Sequence, residues 1–368
     1  MRLSYWDISE LERPCHVLVV GAGIVGLSAA IEIAKRRPNL GIKVLEKEIY
    51  GTLASTRNAG FACFGSISEI YSDIEKYGLN QTLSLVRKRR SGIQMVINRY
   101  GPEAIGYKRN GGYEVFEDRD SFDREESKIN EIKKWFDDQV FKVSSLQEGL
   151  SFYRSTICNQ EEGQLNTGKL YTLLEKEALE RGIHIVRGAL VHELDNGRVR
   201  FQISKYEDVL ELQSDDIIIC ANALSADLVE DEDIVPVRNQ VIVTEPLSDL
   251  SWQGTFHHDR GYIYFRNIGK RILIGGARHM FPEEQTNQLG VNHDNQNFLV
   301  NYIKKHLADA SVDVVIARSW SGVLSGGSSR LPIVKRKDEK TIIAARLGGM
   351  GVAIGMSIGQ EAATLLLD

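Results

Sequence analysis

The hydrophobic pattern changes period along this chain, and each change marks an element. Val17-Leu18-Val19-Val20 is an unbroken apolar run, as expected of a strand buried on both faces. Over 27–37 the apolar positions return at helical spacing, and Arg36-Arg37-Pro38 closes the segment with cations and a helix-stopping proline. A second apolar run, Ile42-Lys43-Val44-Leu45, completes a strand–helix–strand unit over 16–46. Residues 51–70 are small and polar, then aromatic; this suits a loop wrapped around something, followed by a helix to about Tyr100.

Alternation then takes over. Gly111-Gly112-Tyr113-Glu114-Val115-Phe116 reads as a strand leaving a glycine turn. A charged helix is expected around 121–138, an amphipathic helix over 169–181, and a strand at His184-Ile185-Val186. Hairpin material over 189–212 precedes an apolar strand over 216–223. Residues 226–325 are mostly strand-like, at 241–244, 261–266 and 272–276, with one helix near 292–307. Thr341-Ile342-Ile343-Ala344-Ala345 reads as a buried strand that enters Leu347-Gly348-Gly349-Met350-Gly351-Val352, and a helix runs from there to the end. This succession predicts an α/β chain. A Rossmann-like nucleotide domain is built from 1–80, 155–225 and 326–368, and an inserted α+β substrate domain on a large mixed sheet from 81–154 and 226–325.

Bulk composition narrows the classes. A length of 368 residues makes two domains the default, and 42% hydrophobic with 26% charged residues is ordinary globular usage. The net charge of −5 argues against a nucleic-acid partner, which needs a basic field; Arg87-Lys88-Arg89-Arg90 reads as a solvated helix face. No apolar stretch is long enough to span a bilayer, and the charged N-terminus lacks the apolar centre of a signal peptide. Cys15, Cys63, Cys158 and Cys220 are too widely spaced for a metal or disulfide framework, so reduced thiols in a cytoplasmic protein are expected.

Candidate chemistry starts at Gly21, Gly23 and Gly26, which fit G-x-G-x-x-G around Ile24 and Val25. Gly21 permits the turn, Gly23 lets backbone approach a pyrophosphate, and Gly26 lets helix and strand pack closely. Glu46, followed by Lys47, ends the second strand, where an acid hydrogen-bonds an adenosine ribose. The glycines alone would make only a tight turn; strand, helix, second strand and acid together point to a dinucleotide. Two more glycine-rich sites favour a long cofactor over NAD, which needs only the first. Ser55-Thr56-Arg57-Asn58-Ala59-Gly60-Phe61 suits a loop along pyrophosphate and ribityl, with Arg57 either on phosphate or solvated. Gly348-Gly349-Met350-Gly351-Val352 suits backbone against a flat ring, with a helix N-terminus aimed at developing negative charge.

With these pieces in place, the chain resembles the D-amino-acid-oxidase superfamily of FAD-dependent amine oxidoreductases, which includes glycine, sarcosine and gamma-glutamylputrescine oxidases. Further matching pieces are Ala221-Asn222-Ala223-Leu224-Ser225, Pro236-Val237-Arg238-Asn239-Gln240, Gly261-Tyr262-Ile263-Tyr264, and Trp320-Ser321-Gly322 leading to Arg330-Leu331-Pro332. Ser4-Tyr5-Trp6 and the Arg330 element are more similar to the gamma-glutamylputrescine oxidase branch. The resemblance implies FAD, with Leu190, Val191, Ala221, Asn222, Ala223 and Arg330 added to the cofactor-binding set, and the lack of the cysteine that tethers flavin in sarcosine oxidase-like members, and of a histidine in 51–60, makes it non-covalent. It also implies oxidation of the C–N bond of an amine or amino-acid-like molecule, by hydride transfer to flavin N5, with oxygen or another acceptor taking the electrons. Three positions depart from the family: Asn222 and Asn239 stand where glycine is common, and Met350 where histidine is common. Val323-Leu324-Ser325 also lacks the carboxylate-binding arginine of glycine oxidase-like enzymes.

Tyr262, Tyr264 and Arg266 share one strand face and are the candidate catalytic residues; an exposed amphipathic strand is the plain alternative. Phe61 and Phe64 either wall the ring or belong to the core, Arg238 either orients substrate or, as the preferred reading, holds a domain contact, and Arg330 either fixes a loop or meets substrate. His257, His258 and His279 lack partners at metal-ligand spacing, so no metal site is expected. A 2-hydroxy-acid dehydrogenase or oxidase, a flavin-dependent step on a modified RNA base, a flavin-binding protein without turnover and a nicotinamide dehydrogenase are the competing readings. Oligomeric state is not legible.

Overall fold

The computed structural model describes residues 1–51, 54–136, 140–230, 232–308 and 312–368. Two eight-stranded sheets organise them. In the first, Cys15–Val20 lies between Val209–Ile219 and Ile42–Glu46, all parallel. Thr341–Ala345 extends the sheet on one side and His184–Arg187 on the other. Val19 sits opposite both Val44 and Ile218, and Ile218 opposite Ile342, so the unbroken apolar runs meet in one buried layer. The expected hairpin forms as Ala189–Asp195 and Arg198–Ile203, continued antiparallel by Val209–Ile219.

Helices Ile24–Arg36 and Gly351–Leu367 pack against each other at backbone distance. A Cβ on Gly359 would lie 2.5 Å from the Val25 carbonyl oxygen, which is why a glycine serves there. Helix Leu79–Tyr100 packs on the other side of the C-terminal helix through Gly92, whose Cβ would lie 2.0 Å from the Ala353 oxygen.

The second sheet runs in the order Ile316–Gly326, Val235–Thr244, Arg271–Gly276, Ile263–Ile268, Thr255–His258, Gly112–Phe116, Ser155–Asn159 and Phe141–Ser144. It is antiparallel except where Thr255–His258 meets Gly112–Phe116. Phe256, Phe265 and Trp252 stack into its core with Leu299 and Tyr302 of helix His293–Tyr302.

Several boundaries differ from expectation, each for a local reason. The helix expected to run to Tyr100 breaks into Ile67–Tyr77 and Leu79–Tyr100 at Gly78, whose φ of +82° is open to glycine. The strand expected over 216–223 stops at Ile219, and the chain turns into the short helix Asn222–Asp227 with Asn222 at φ +50°. Asparagine tolerates that left-handed backbone better than most side chains, which accounts for a residue that commonly gives way to glycine. The charged helix near 121–138 becomes Arg119–Glu126 and Ile129–Ile132; its last two positions, Asp137 and Asp138, lie outside the described residues. The N-terminal helix Tyr5–Leu11 is an addition, closed by a Ser4–Asp7 capping box whose spacing is visible in the sequence.

Candidate active site

The first glycine turn is built from backbone. Gly21 has φ +104°, and a Cβ on Gly26 would lie 1.9 Å from the Gly21 oxygen, so the helix can start this close to the strand only without a side chain. Helix Ile24–Arg36 has no side-chain cap from Gly23; the Ile24 amide donates to Ser55 Oγ at 3.0 Å. Glu46 is buried, with Oε2 accepting from the Ala22 amide at 2.8 Å and Oε1 from the Glu48 amide at 2.9 Å. Burial raises its pKa, and the two amides oppose that rise. A carboxylate has lone pairs left after two such bonds, so Glu46 can still accept from a ribose.

A trough of about 650 Å³ opens here. Of the expected cofactor residues, Gly21, Gly23, Glu46 and Lys47 line it. Leu190 and Val191, with Ala221, Asn222 and Ala223, line it too. Gly23, Ser55, Asn222 and Val323 also belong to an inner chamber of about 220 Å³, so the two spaces are continuous. Ile24, Val25, the 57–61 loop and the 348–352 turn line that chamber together with Tyr262, Tyr264 and Arg330. Thr56 packs instead beside Gly51. Three glycine-rich segments remote in sequence thus converge on one elongated space.

The residues fit an extended dinucleotide. Gly349 has φ +85°, and a Cβ there would meet no heavy atom within 4 Å, so open space lies in front of its backbone. Met350 gives the helix Gly351–Leu367 no side-chain cap, which leaves first-turn amides facing the chamber as donors. The first turn offers a pyrophosphate cradle and the last turn offers a flat, amide-lined face.

The chamber wall comes from many elements. Tyr264 meets Phe61 edge-on at 5.6 Å, and Phe61 stacks on His257 at 5.3 Å. Arg278 sits over the Tyr262 ring at 5.5 Å, and its Nη1 reaches Asn239 Oδ1 at 3.5 Å. Among the described residues no carboxylate lies within ion-pair distance of Arg278, and burial lowers its pKa. The preceding Ala277 is fully buried at φ +59°, a strained backbone for a side-chain-bearing residue, and this turn starts the short helix that carries Arg278.

Arg266 corrects the sequence reading. It shares a strand face with Tyr264, but its Nη1 donates to the carbonyls of Leu165 at 3.1 Å and Gly60 at 3.4 Å. Those carbonyls cover the sheet beyond Tyr264, so the guanidinium braces the 58–60 loop from beneath instead of lining the chamber. Burial lowers its pKa to about 10. Arg330 lines the chamber but is engaged, 3.3 Å from Asp73 and 3.9 Å from Glu69. Arg57 also lines it, with Nη1 3.3 Å from the Ser321 carbonyl and its own carbonyl accepting from Trp320 Nε1. Arg238 pairs with Glu284 at 2.7 Å, and Phe64 is core, edge-on to Phe141.

Sequence reasoning missed three chamber residues: Arg278, Glu69 and His257. From sequence His257 reads as a solvated or core histidine, yet it lines the chamber with Nδ1 3.5 Å from Glu69 Oε2. Burial pushes Glu69 up, but the His257 hydrogen bond and the charges of His257 and Arg330 outweigh it and hold the carboxyl at about 2. Burial alone would depress His257; contact with Cys63 and Glu69 outweighs that and raises it well above its ordinary value. Cys63 Sγ also lies 3.7 Å from Met350 Sδ. The one available signal was Ser66-x-x-Glu69, a capping box at the start of Ile67–Tyr77 that fixes where Glu69 stands. Among the described residues no three His, Cys, Asp or Glu side chains gather as metal ligands, and no helix is long and apolar enough to cross a membrane.

Comparison with known proteins agrees with this geometry. The family model described as FAD dependent oxidoreductase, DAO, matches residues 16–365. A relative named probable oxidoreductase OrdL, from Haemophilus influenzae, is 26% identical over 386 aligned positions, which cover 98% of this chain and 84% of the relative. Glycine oxidase from Geobacillus kaustophilus shares the fold with a TM-score of 0.77 at 18% identity, over 97% of this chain and 95% of that one. Iminodiacetate oxidase from Chelativorans sp. does so at 0.74 and 19%, over 96% and 95%. L-proline dehydrogenase from P. horikoshii does so at 0.74 and 18%, over 96% and 93%.

Proposed function

The chain belongs to the DAO family of FAD-dependent oxidoreductases, and from that premise we propose that it oxidises the C–N bond of a small carboxylate-bearing amine to an imine. Arg278 carries this reading. It is a chamber-lining guanidinium without a carboxylate partner among the described residues, and an ion of that kind calls for an anionic ligand. A substrate carboxylate would take a forked pair of charge-assisted hydrogen bonds from it. The Asn239 amide beside Arg278 can donate to the same carboxylate. Arg330, held by Asp73 and Glu69, is not free for that role.

Bound FAD supplies the hydride acceptor and passes the electrons on to oxygen or another acceptor. The chain's own residues position the substrate. Arg278 fixes the carboxylate, Tyr262 lies against the guanidinium, and Tyr264 with Phe61 closes the wall and excludes water. Gly21, Gly23 and Glu46 would hold the adenosine and pyrophosphate end, and 348–352 the ring end. We read the cofactor as non-covalently held: Cys63 is buried against His257 and Met350, and no histidine stands in 51–60. The first sheet is then the nucleotide-holding unit and the second the substrate wall. The relatives named for oxidation of glycine and iminodiacetate and dehydrogenation of L-proline support an amino-acid-like substrate. Four free cysteines accord with a reducing, cytoplasmic setting.

The test is anaerobic bleaching of the flavin across amino acids, N-methyl amino acids, the same amines without their carboxylates, and 2-hydroxy acids. Amines with carboxylates are expected to bleach it and their decarboxylated forms to fail. Bleaching by hydroxy acids alone, or equally by decarboxylated amines, overturns the proposal; bleaching by none of them marks a flavin-binding protein without turnover.

A further inference from the structure

We propose that Glu114, Ser68, Ser66, Glu69 and His257 form a proton relay that joins the inner chamber to a second, separate cleft; its purpose, though not its geometry, rests on the amine-oxidation reading. His257 and Glu69 line the chamber. From there the contacts are continuous. His257 Nδ1 is 3.5 Å from Glu69 Oε2, Ser66 Oγ is 3.3 Å from the same oxygen, and Ser66 Oγ is 3.3 Å from Ser68 Oγ. Ser68 Oγ donates to Glu114 Oε1. Ser68 and Glu114 line the second cleft, about 670 Å³, with Glu117, Asp118 and Glu125.

The fold explains the alignment. Thr255–His258 and Gly112–Phe116 pair with His257 opposite Glu114, so both side chains leave the sheet on one face. The first turn of Ile67–Tyr77 lies across that face and contributes Ser66, Ser68 and Glu69. A cavity of about 10 Å³ between Ser66, Glu114, Glu162 and His257 adds polar space beside the chain, at the lower limit for one water.

Helix capping accounts for Ser66 and Glu69, and Glu114 Oε2 accepts from the Ser68 amide in the same first turn at 3.3 Å. Capping leaves out the Ser68 hydroxyl, which donates to the other Glu114 oxygen. This second contact, between that hydroxyl and a carboxyl only 5% exposed, carries the path on to the cleft. Burial pushes Glu114 up to about 7, against the Ser68 hydrogen bonds, so it exchanges protons near neutral pH. The other groups facing the path are Glu125 toward Glu114, Arg330 and Asp73 toward Glu69, and Cys63 and Glu162 toward His257.

An ammonium must lose a proton before its carbon can give up a hydride, and a filled chamber holds no water to take it. In the relay His257 gives its Nδ1 proton to Glu69 Oε2; Ser66 Oγ, which donates to that oxygen at rest, turns toward Ser68 and takes the proton from Glu69 while passing its own to Ser68, and Ser68 passes its own to ionised Glu114. Each hop breaks one N–H or O–H bond and forms the next, and the imidazole regains a proton from the substrate amine. One proton enters, one leaves at the cleft, and no electron moves. Glu69 carries the proton only in transit, because so acidic a carboxyl passes it on at once.

The test follows exchange of the His257 Nδ1 proton with solvent in the FAD-loaded protein, by NMR of 15N-histidine label, and needs no substrate. Ser68→Ala and Glu114→Gln are expected to slow it roughly 100-fold, the low end of what a positioned proton-transfer group contributes, with flavin content unchanged. Ser68→Thr, which keeps a hydroxyl, restores it. Wild-type exchange in folded, flavin-loaded Ser68→Ala overturns the relay, and so does failure of Ser68→Thr to restore exchange. In the same variants, loss of a pH limb near 7 in anaerobic reduction by an amine ties the relay to turnover. If no amine reduces the flavin, the amine reading falls while the exchange result still decides the relay.

Discussion

The two ends of the trough are made by opposite means. At the outer end a contiguous run, Gly21 to Gly26, does the work with backbone, and Glu46 is pinned by two main-chain amides. At the inner end side chains do it, and they arrive from elements far apart: Glu69 from a helix, His257 from a strand, Arg278 from a turn after another strand. Backbone sites are specified by local spacing and by the absence of a Cβ. Side-chain sites are specified by topology, which decides who faces whom. On the proposed reading, the outer end sets what kind of cofactor is held, and the inner end sets what is done with it.

The harshest test of this contrast is Gly26→Ala. Alanine favours a helix by about 1 kcal/mol over glycine, so propensity predicts a gain. A Cβ 1.9 Å from the Gly21 oxygen predicts a loss of roughly 3 kcal/mol, the upper end for overpacking. The expected outcome is a lower melting temperature and loss of the bound flavin spectrum. A variant that keeps both would show that the outer end does not depend on backbone clearance.

Two arginines sharpen the inner half of the comparison. Arg278→Met should lower kcat/KM for a carboxylate substrate roughly 10- to 100-fold, from a charged hydrogen bond worth about 1.5–3 kcal/mol. Flavin content and melting temperature should stay near wild type. Arg266→Met should do the reverse. It leaves the Leu165 carbonyl without its Arg266 donor, at about 1–3 kcal/mol, while the Gly60 carbonyl keeps the Leu165 amide at 2.9 Å, so stability and flavin retention fall while preference for carboxylates holds. Matching phenotypes in the two variants would dissolve the distinction between brace and anchor.

These arginines also show how far the sequence could be read. Strand alternation correctly places Tyr264 and Arg266 on one face. It cannot tell that the carbonyls of Gly60 and Leu165 cover that face beyond Tyr264. Arg278 carried no signal, because the Ala277 turn that starts its helix has a left-handed backbone that nothing in the residue type announces. The first and last glycine turns were legible because glycine is itself the structural requirement at Gly21, Gly26 and Gly349. Glu69 was half legible: its capping box fixes its position, but its pairing with His257 depends on the register of two strands and a helix start. Asn222 shows the limit from the other side. It departs from a common glycine yet keeps the φ that glycine would supply.

The mildest effect concerns pH and separates the two ends once more. Glu69 is held at about 2, below its ordinary 4.5, so it stabilises the fold above 4.5 and that contribution is lost as pH falls toward 2. Glu114 has the opposite sign. Its raised value of about 7 means that the folded state binds its proton more tightly; the contribution is full below 4.5 and lost as pH rises through 7. Glutamine cannot ionise; its one oxygen can accept from the Ser68 amide while its NH2 donates to Ser68 Oγ, as a protonated carboxyl would. Glu114→Gln should therefore melt near wild type at pH 5 and gain a few degrees on it at pH 8. Glu46→Gln at the outer end also removes a carboxyl raised by burial, but it exchanges an oxygen that binds the Ala22 or Glu48 amide for an NH2 that cannot accept. It should lose stability at both pH values. Melting curves for the two variants across this range decide whether the inner carboxyl is held for titration and the outer one for its amides; parallel curves would mean that both are merely buried.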